Sequence, residues 1–238
     1  FRCWKRHGHG RLELQEAIAQ SCDVYFYNLG ERLGITSLSQ FAIQSGFGRR
    51  TGIRLPNESR GLIPDREWKN RRFGQSWQGG ETVITAIGQG YTTTTPLQIA
   101  RFISALINGG RLLQPQLRLN IGPEEQSRLP VQAKHRDFIR QAMIQTVEGK
   151  RGTARSLRLP GVTIGAKTGT AQVIRLTEKH EDKETEEIPY KFRDHAWMAG
   201  FGQQGERTYV AVALIEHGGH GSSAAGPIVK DIFAYLFN

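Results

Sequence analysis

Apolar residues recur at intervals of three and four across residues 11–34, at Leu12, Leu14, Ala17, Ile18, Tyr25, Phe26 and Leu29. This is the period of an amphipathic helix. Glu13 and Glu16 near its start suit the positive end of a helix dipole. Ser21-Cys22-Asp23 interrupts the run with the residue types that cap helices, so two helices are expected, the second capped by Ser21 or Asp23. A further helix is expected over 35–48, closed by Gly46 and Gly48. Residues 49–82 carry no apolar period and read as a long basic loop. Thr95-Pro96 opens a helix through Ile107 that stops at Gly109-Gly110, since proline suits the first helical turn.

After short strands and loop over 111–134, Phe138, Ile139, Ala142, Met143 and Val147 form one stripe of a helix over 136–148. A turn at Pro160-Gly161 leads into a strand over 165–173. The runs 196–202 and 209–215 are two more strands, with 202–205 as their turn, and so antiparallel. A last helix from Pro227 to Phe237 turns Ile228, Ile232, Phe233 and Leu236 toward the sheet. This order predicts an α+β fold: an antiparallel sheet covered by helices, beside a mostly helical lobe. The helical lobe is expected over about 11–150 and the sheet portion over about 160–238.

The chain has 238 residues, with 32 basic against 22 acidic side chains and a formal charge of +10. A basic surface attracts anions, whether nucleic acid, anionic lipid or acidic polymer. None of the helices expected from the pattern combines clustered arginines with aromatics, so nucleic acid is not the expected partner. The cluster Lys69-Asn70-Arg71-Arg72 reads as a solvated face, or as a rim meeting a glycan or a partner. The charged stretch 175–193 reads as a flexible hairpin-type connection, in which His180 needs no function. The glycine-rich run His217–Ser223 lacks the G-K-[ST] of a phosphate loop. His217 with His220 as a metal pair is a minor reading.

Cys3, His9 and Cys22 form a C-x5-H-x12-C series. Thiolate and imidazole are donors that zinc prefers, and a structural site needs four. The series matches no standard finger, so a structural zinc, a disulfide and two unlinked thiols stay open.

The most informative stretch is Gly165-Ala166-Lys167-Thr168-Gly169-Thr170-Ala171-Gln172-Val173. It reads as an edge strand, with a compact cation at Lys167 and hydroxyls at Thr168 and Thr170. Gly169 leaves room for another backbone or a ligand to lie close. Such an edge can hold a peptide by β-augmentation and anchor its C-terminal carboxylate. K-T-G alone is weak evidence, but it gains weight beside Ser21-Cys22-Asp23, because serine-acyl enzymes of one class pair K-T-G with S-x-N.

With those motifs, and with Gly8-His9-Gly10-Arg11-Leu12, Ile63-Pro64-Asp65-Arg66-Glu67-Trp68-Lys69, Ile87-Gly88-Gln89-Gly90-Tyr91 and Arg193-Asp194-His195, the chain resembles the penicillin-binding transpeptidases nearly end to end. Within them it looks most like the elongation-type class B branch, penicillin-binding protein 2. The resemblance implies acyl transfer that crosslinks peptidoglycan stem peptides, with sensitivity to β-lactams. It assigns Ser21, Asp23 and Lys167 to the catalytic apparatus, and Thr168, Gly169 and Thr170 to the substrate carboxylate and the oxyanion. It implies no required cofactor, a membrane glycosyltransferase partner, and a place at the periplasmic face of the inner membrane.

One feature departs from the family. No serine or threonine has a lysine three positions on, so the S-x-x-K nucleophile motif is absent from this sequence. The chain is therefore expected to be the C-terminal part of a transpeptidase domain and to be inactive alone. A β-lactamase or carboxypeptidase of the same fold is the nearest alternative, although deacylation needs a water-positioning base that the sequence does not single out. A non-catalytic module binding polyanions through its basic surface is the alternative from another class.

Overall fold

The structure, a computed structural model, describes residues 1–173 and 187–238. It is an α+β chain that separates into two compact units: residues 1–17 with 22–139, and residues 18–21 with 140–238.

In the first unit, α1 (Leu14–Ala19) begins the fold and passes its last residues to the second unit. Helix α2 (Asp23–Gln44) is one element bent at Gly34, where φ is 73°. The helices expected on either side of 34/35 are thus joined through a glycine kink. The cap is Cys22, which makes no side-chain capping bond, and Asp23 is the first helical residue. The expectation that Ser21 or Asp23 caps this helix is therefore corrected.

The supposed loop 49–82 contains two helices, α3 (Arg66–Phe73) and the start of α4 (Gly79–Ala86). Helix α3 has almost no apolar stripe, which is why periodicity misses it. Its ends define it instead: Asp65 accepts from Trp68 N–H at 2.6 Å, and Gly74 closes it in the left-handed region at φ 64°. The basic cluster is not all solvated. Lys69 is buried, and its ammonium lies 2.6 Å from Glu81, whose carboxylate also accepts from Gln78 N–H in a capping box on α4. The rest of this stretch is tied down by Gln98 of α5 (Pro96–Ile107), whose amide donates to the Arg49 and Arg60 carbonyls at 2.8 and 2.9 Å. Strands β1 (Arg111–Leu113) and β2 (Glu125–Arg128) make a small antiparallel ribbon.

Helix α6 (Ala133–Glu148) begins in the first unit and ends in the second. The division falls inside it, upstream of the 150–160 region where the sequence pattern changes. Phe138, assigned to its apolar stripe, is exposed, while Ala142, Met143 and Val147 are buried.

The second unit carries the sheet β3 (Thr163–Ala171), β4 (His195–Gln204) and β5 (Arg207–Ile215), antiparallel in that order, so β3 lies at an edge of the described sheet. The β4–β5 turn is Gly205-Glu206, with Gly205 at φ 58°, because β4 runs through Gln204 to pair with Arg207. The expected turn at 202–205 is displaced accordingly. Gly202 is a strand residue over which the Phe237 ring packs, leaving no room for a Cβ. Helix α7 (Gly226–Phe237) covers one face, and Val229, Phe233 and Phe237 join Ile164, Ala166, Met198 and Leu157 in the core, whereas Ile228 and Ile232, expected to face the sheet, are exposed. On the opposite face the Phe201 ring and Met143 lie over Gly165, where any side chain would clash. Of the connection read as flexible over 175–193, residues 175–186 with His180 lie outside the described residues, while Tyr190–Phe192 form a 3-10 turn and Arg193 Nε donates to the Ile188 carbonyl at 2.8 Å.

Candidate active site

Ser21 sits just past the end of α1. Cys22 N–H donates to Ala17 C=O and Ser21 N–H to Ile18 C=O, the crossed pair that closes a helix with one residue in the left-handed region. That residue is Ser21, at φ 52°. Glycine normally fills such a place. A serine there carries a steric cost of about 1–2 kcal/mol, and such strain collects where a side chain must be aimed.

The target of that aim lies in the same unit. Lys167 on β3 donates from Nζ to Ser21 Oγ at 2.8 Å and to the Thr168 carbonyl at 2.9 Å. Strand alternation puts Lys167 and Gly169 on one face of β3 and Thr168 and Thr170 on the other. Thr168 Oγ1 is 3.0 Å from the hydroxyl of Thr153, and Thr153 N–H donates to the Ala19 carbonyl at 3.3 Å. Thr153 thus ties the end of α1 to the K-T-G strand. The sequence reading did not single it out; its only signal is a short Gly152-Thr153-Ala154 run after a helix.

Gly169 has a reason inside the chain. A Cβ there would come 3.1 Å from the Trp197 Cβ across the ladder. The close backbone expected beside it is supplied by Gly221, whose own Cβ would strike the carbonyls of Trp197 and Gly169. Beyond the end of β3, Val173 N–H donates to Asp194 Oδ1 at 3.3 Å. Burial pushes the Asp194 carboxyl above its ordinary value, against that hydrogen bond and the nearby His220 and His195. His217 is committed to structure: its backbone N–H donates to His195 Nδ1, and its own Nδ1 lies 3.0 Å from the Arg193 carbonyl.

Asp23 belongs to the first unit, where its Oδ2 accepts from Trp4 N–H at 3.0 Å. Gly88 and Gly90, also in that unit, have φ of 79° and 77°, conformations that call for glycine.

The Cys3, His9 and Cys22 ligand atoms lie within 4.8 Å of one another, and Cys3 Sγ is 3.5 Å from His9 Nδ1. The cysteines are not disulfide-bonded. Burial, then the neighbouring Cys3, pushes the Cys22 thiol up. A bound cation reverses that trend by stabilising thiolate. Tetrahedral zinc, with bonds of about 2.0–2.3 Å, holds its donors roughly 3.3–3.8 Å apart, so these three side chains fit with small adjustments. No other group of three such donors occurs among the described residues.

The penicillin binding protein transpeptidase domain matches residues 1–234. The chain belongs to this family. It is 37% identical over 246 residues to the peptidoglycan D,D-transpeptidase MrdA of Acinetobacter baumannii, covering 99% of this chain and 36% of that protein. Penicillin-binding protein 2 of Helicobacter pylori, solved in complex with MreC, superposes with a TM-score of 0.84 at 37% identity, over 99% of this chain and 42% of that one. A chain from a peptidoglycan synthase complex, solved for the structural coordination of polymerization and crosslinking, gives 0.80 at 31% identity, over 98% of this chain and 39% of that one. The chain thus spans roughly two fifths of the length of these relatives, 36% of the Acinetobacter protein.

Proposed function

We propose that this chain supplies the Ser21 and K-T-G parts of a D,D-transpeptidase that crosslinks peptidoglycan stem peptides during cell elongation. The nucleophilic serine and its lysine base come from an S-x-x-K segment outside this sequence. The observation that carries the reading is the 2.8 Å hydrogen bond from Lys167 to Ser21, which joins residues 146 apart in sequence.

Acyl transfer needs a nucleophile, a base, an oxyanion hole and an anchor for the substrate. Because Lys167 donates to Ser21 Oγ, the serine keeps its own proton to pass outward. It can give that proton to the leaving D-alanine amine and be resupplied from the ammonium. Thr168 and Thr170 hold the terminal carboxylate. Where Thr153 donates to Thr168, the Thr168 proton stays available for that carboxylate. The Thr170 N–H serves as an oxyanion donor, and one such donor is worth about 10²–10³ in rate. Asp23 takes the S-x-N position by resemblance. A β-lactam carboxylate would use the same anchor.

The reading extends to a membrane-anchored parent at the periplasmic face, working with a polymerising glycosyltransferase. The relative solved for the structural coordination of polymerization and crosslinking supports the polymerising partner. No helix of the described residues is long and apolar enough to cross a membrane.

Fluorescent penicillin tests the proposal. This chain alone should show no SDS-stable label. A polypeptide that adds the S-x-x-K segment should be labelled, and Lys167→Ala or Ser21→Ala in it should slow labelling at least a hundredfold. Label on the present chain, or full labelling of both variants, would refute the assignment.

We also propose that Cys3, His9 and Cys22 hold a structural zinc, completed by a fourth ligand. Zinc ligation couples to folding. A chelator should lower the melting temperature of the native protein, added zinc should restore it, and Cys22→Ser should abolish both responses.

A further inference from the structure

One cavity of about 390 Å³ lies wholly within the first unit, in a part of it that the proposed chemistry does not use. Its wall includes Arg49, Arg50, Arg101 and Arg128, with Gln126 and Gly46. Arg101 is the unusual member, because it is buried within α5. Its Nε donates to the Leu113 carbonyl at 2.8 Å, and its Nη2 donates to Gln126 Oε1 at 2.7 Å and the Leu112 carbonyl at 3.4 Å. All these partners are neutral. Nη1 has no hydrogen-bond partner among the described residues, and it faces Gly46, where a Cβ would come within 3.1 Å of it. Gly46 sits at φ 92°, so both its conformation and its lack of a side chain keep the space before Nη1 open.

A buried guanidinium whose hydrogen-bond partners are all neutral is costly, since buried charges are normally paired. The nearest carboxylates are occupied. Glu58 accepts from Thr51 N–H and Oγ1 and from Gly52 N–H, and Glu125 pairs with Arg111 and Arg128. The lining carries four arginines and no carboxylate, and with Arg128 paired to Glu125 a surplus of three positive charges remains. Arg49 and Arg50 line the cavity and are exposed to solvent.

We propose that this cavity binds a multiply charged oxoanion of the diphosphate class. Arginine forks recognise planar and tetrahedral oxoanions through paired hydrogen bonds. The charge surplus favours a group carrying two or three negative charges over a single carboxylate. Arg101 Nη1 forms the floor contact, and Arg49, Arg50 and Arg128 close the rim.

The test is isothermal titration of the native chain with inorganic diphosphate, inorganic phosphate and acetate at low and physiological salt. Diphosphate should bind with one-to-one stoichiometry and at least tenfold more tightly than phosphate, with acetate weaker still. The double variant Arg49→Gln/Arg50→Gln should keep its melting temperature and lose at least tenfold in diphosphate affinity. Arg11→Gln/Arg32→Gln, which removes the same charge elsewhere on the exposed surface, should bind as the native chain does. Equal loss in both double variants would mean attraction to the overall charge of +10 and would overturn the site. Absence of saturable diphosphate binding at low salt would also overturn it. Phosphatidylcholine vesicles carrying farnesyl diphosphate then separate the sources. Capture by them that depends on Arg49 and Arg50 assigns the site to a lipid-linked diphosphate, whereas free diphosphate binding without capture assigns it to a soluble one.

Discussion

Lys167 donates a hydrogen bond to Ser21 across 146 residues, and Ser21 meets it from a backbone conformation that usually belongs to glycine. The two facts bear on each other, since the left-handed turn ends α1 and presents the hydroxyl at once. Ser21→Gly should therefore be more stable than Ser21→Ala by about 1 kcal/mol, although both lose the bond to Lys167. Denaturant unfolding of the two variants measures the difference. Equal stability would show that the turn costs the serine nothing.

Thr153 is expected to act on the K-T-G strand through Thr168, as a positioning residue. Thr153→Val removes one hydroxyl bridge, worth about 1 kcal/mol of stability. In a polypeptide that includes the S-x-x-K segment, penicillin acylation should slow about fivefold or more, matching that loss in transition-state positioning. Thr153→Ser should restore both. A purely structural role would lower the melting temperature and leave the acylation rate of the folded fraction unchanged.

The contact of Gly221 with the backbone of β3 and β4 leaves no space for a methyl group. Gly221→Ala should cost about 1–3 kcal/mol through forced displacement. Gly205 also has a positive φ, 58°, but open space around it, so Gly205→Asn should cost only a few tenths by comparison. Thermal or denaturant unfolding of the pair separates steric crowding from conformational preference.

Asp194 gives the pH dependence. Burial raises its carboxyl in the folded chain above the ordinary value, so the native form binds the proton more tightly than the unfolded form does. Stability from this group is then highest in acid and declines as pH rises past the ordinary aspartate value toward the folded one. Asp194→Asn keeps an acceptor for Val173 N–H and removes the charge. Relative to the native chain, it should fare better at pH 7 than at pH 3. A variant that does worse at pH 7 would show that His195 and His220 outweigh the burial.

Much of the site was legible before any coordinates. Lys167-Thr168-Gly169 and Ser21-Cys22-Asp23 are short motifs with a known partnership, and β3, β4, β5, α5 and α7 follow from period and punctuation. The same reasoning failed over 66–73, because α3 is held by its caps and by a buried Lys69–Glu81 pair and shows no stripe. It also linked Gly169 to a ligand alone, whereas a Cβ at that position would already press on Trp197.

Outside 66–86, local pattern determined most of the helices and strands, since that choice depends on neighbours three, four or two residues away. It also supplied the chemical types: a cation, three hydroxyls, two thiols and an imidazole. Only the tertiary structure decided that Lys167 reaches Ser21, that Thr153 touches Thr168, and that Arg101 is buried facing an open cavity. Those are relations between residues apart in sequence, set by packing within each unit, and no local period encodes them.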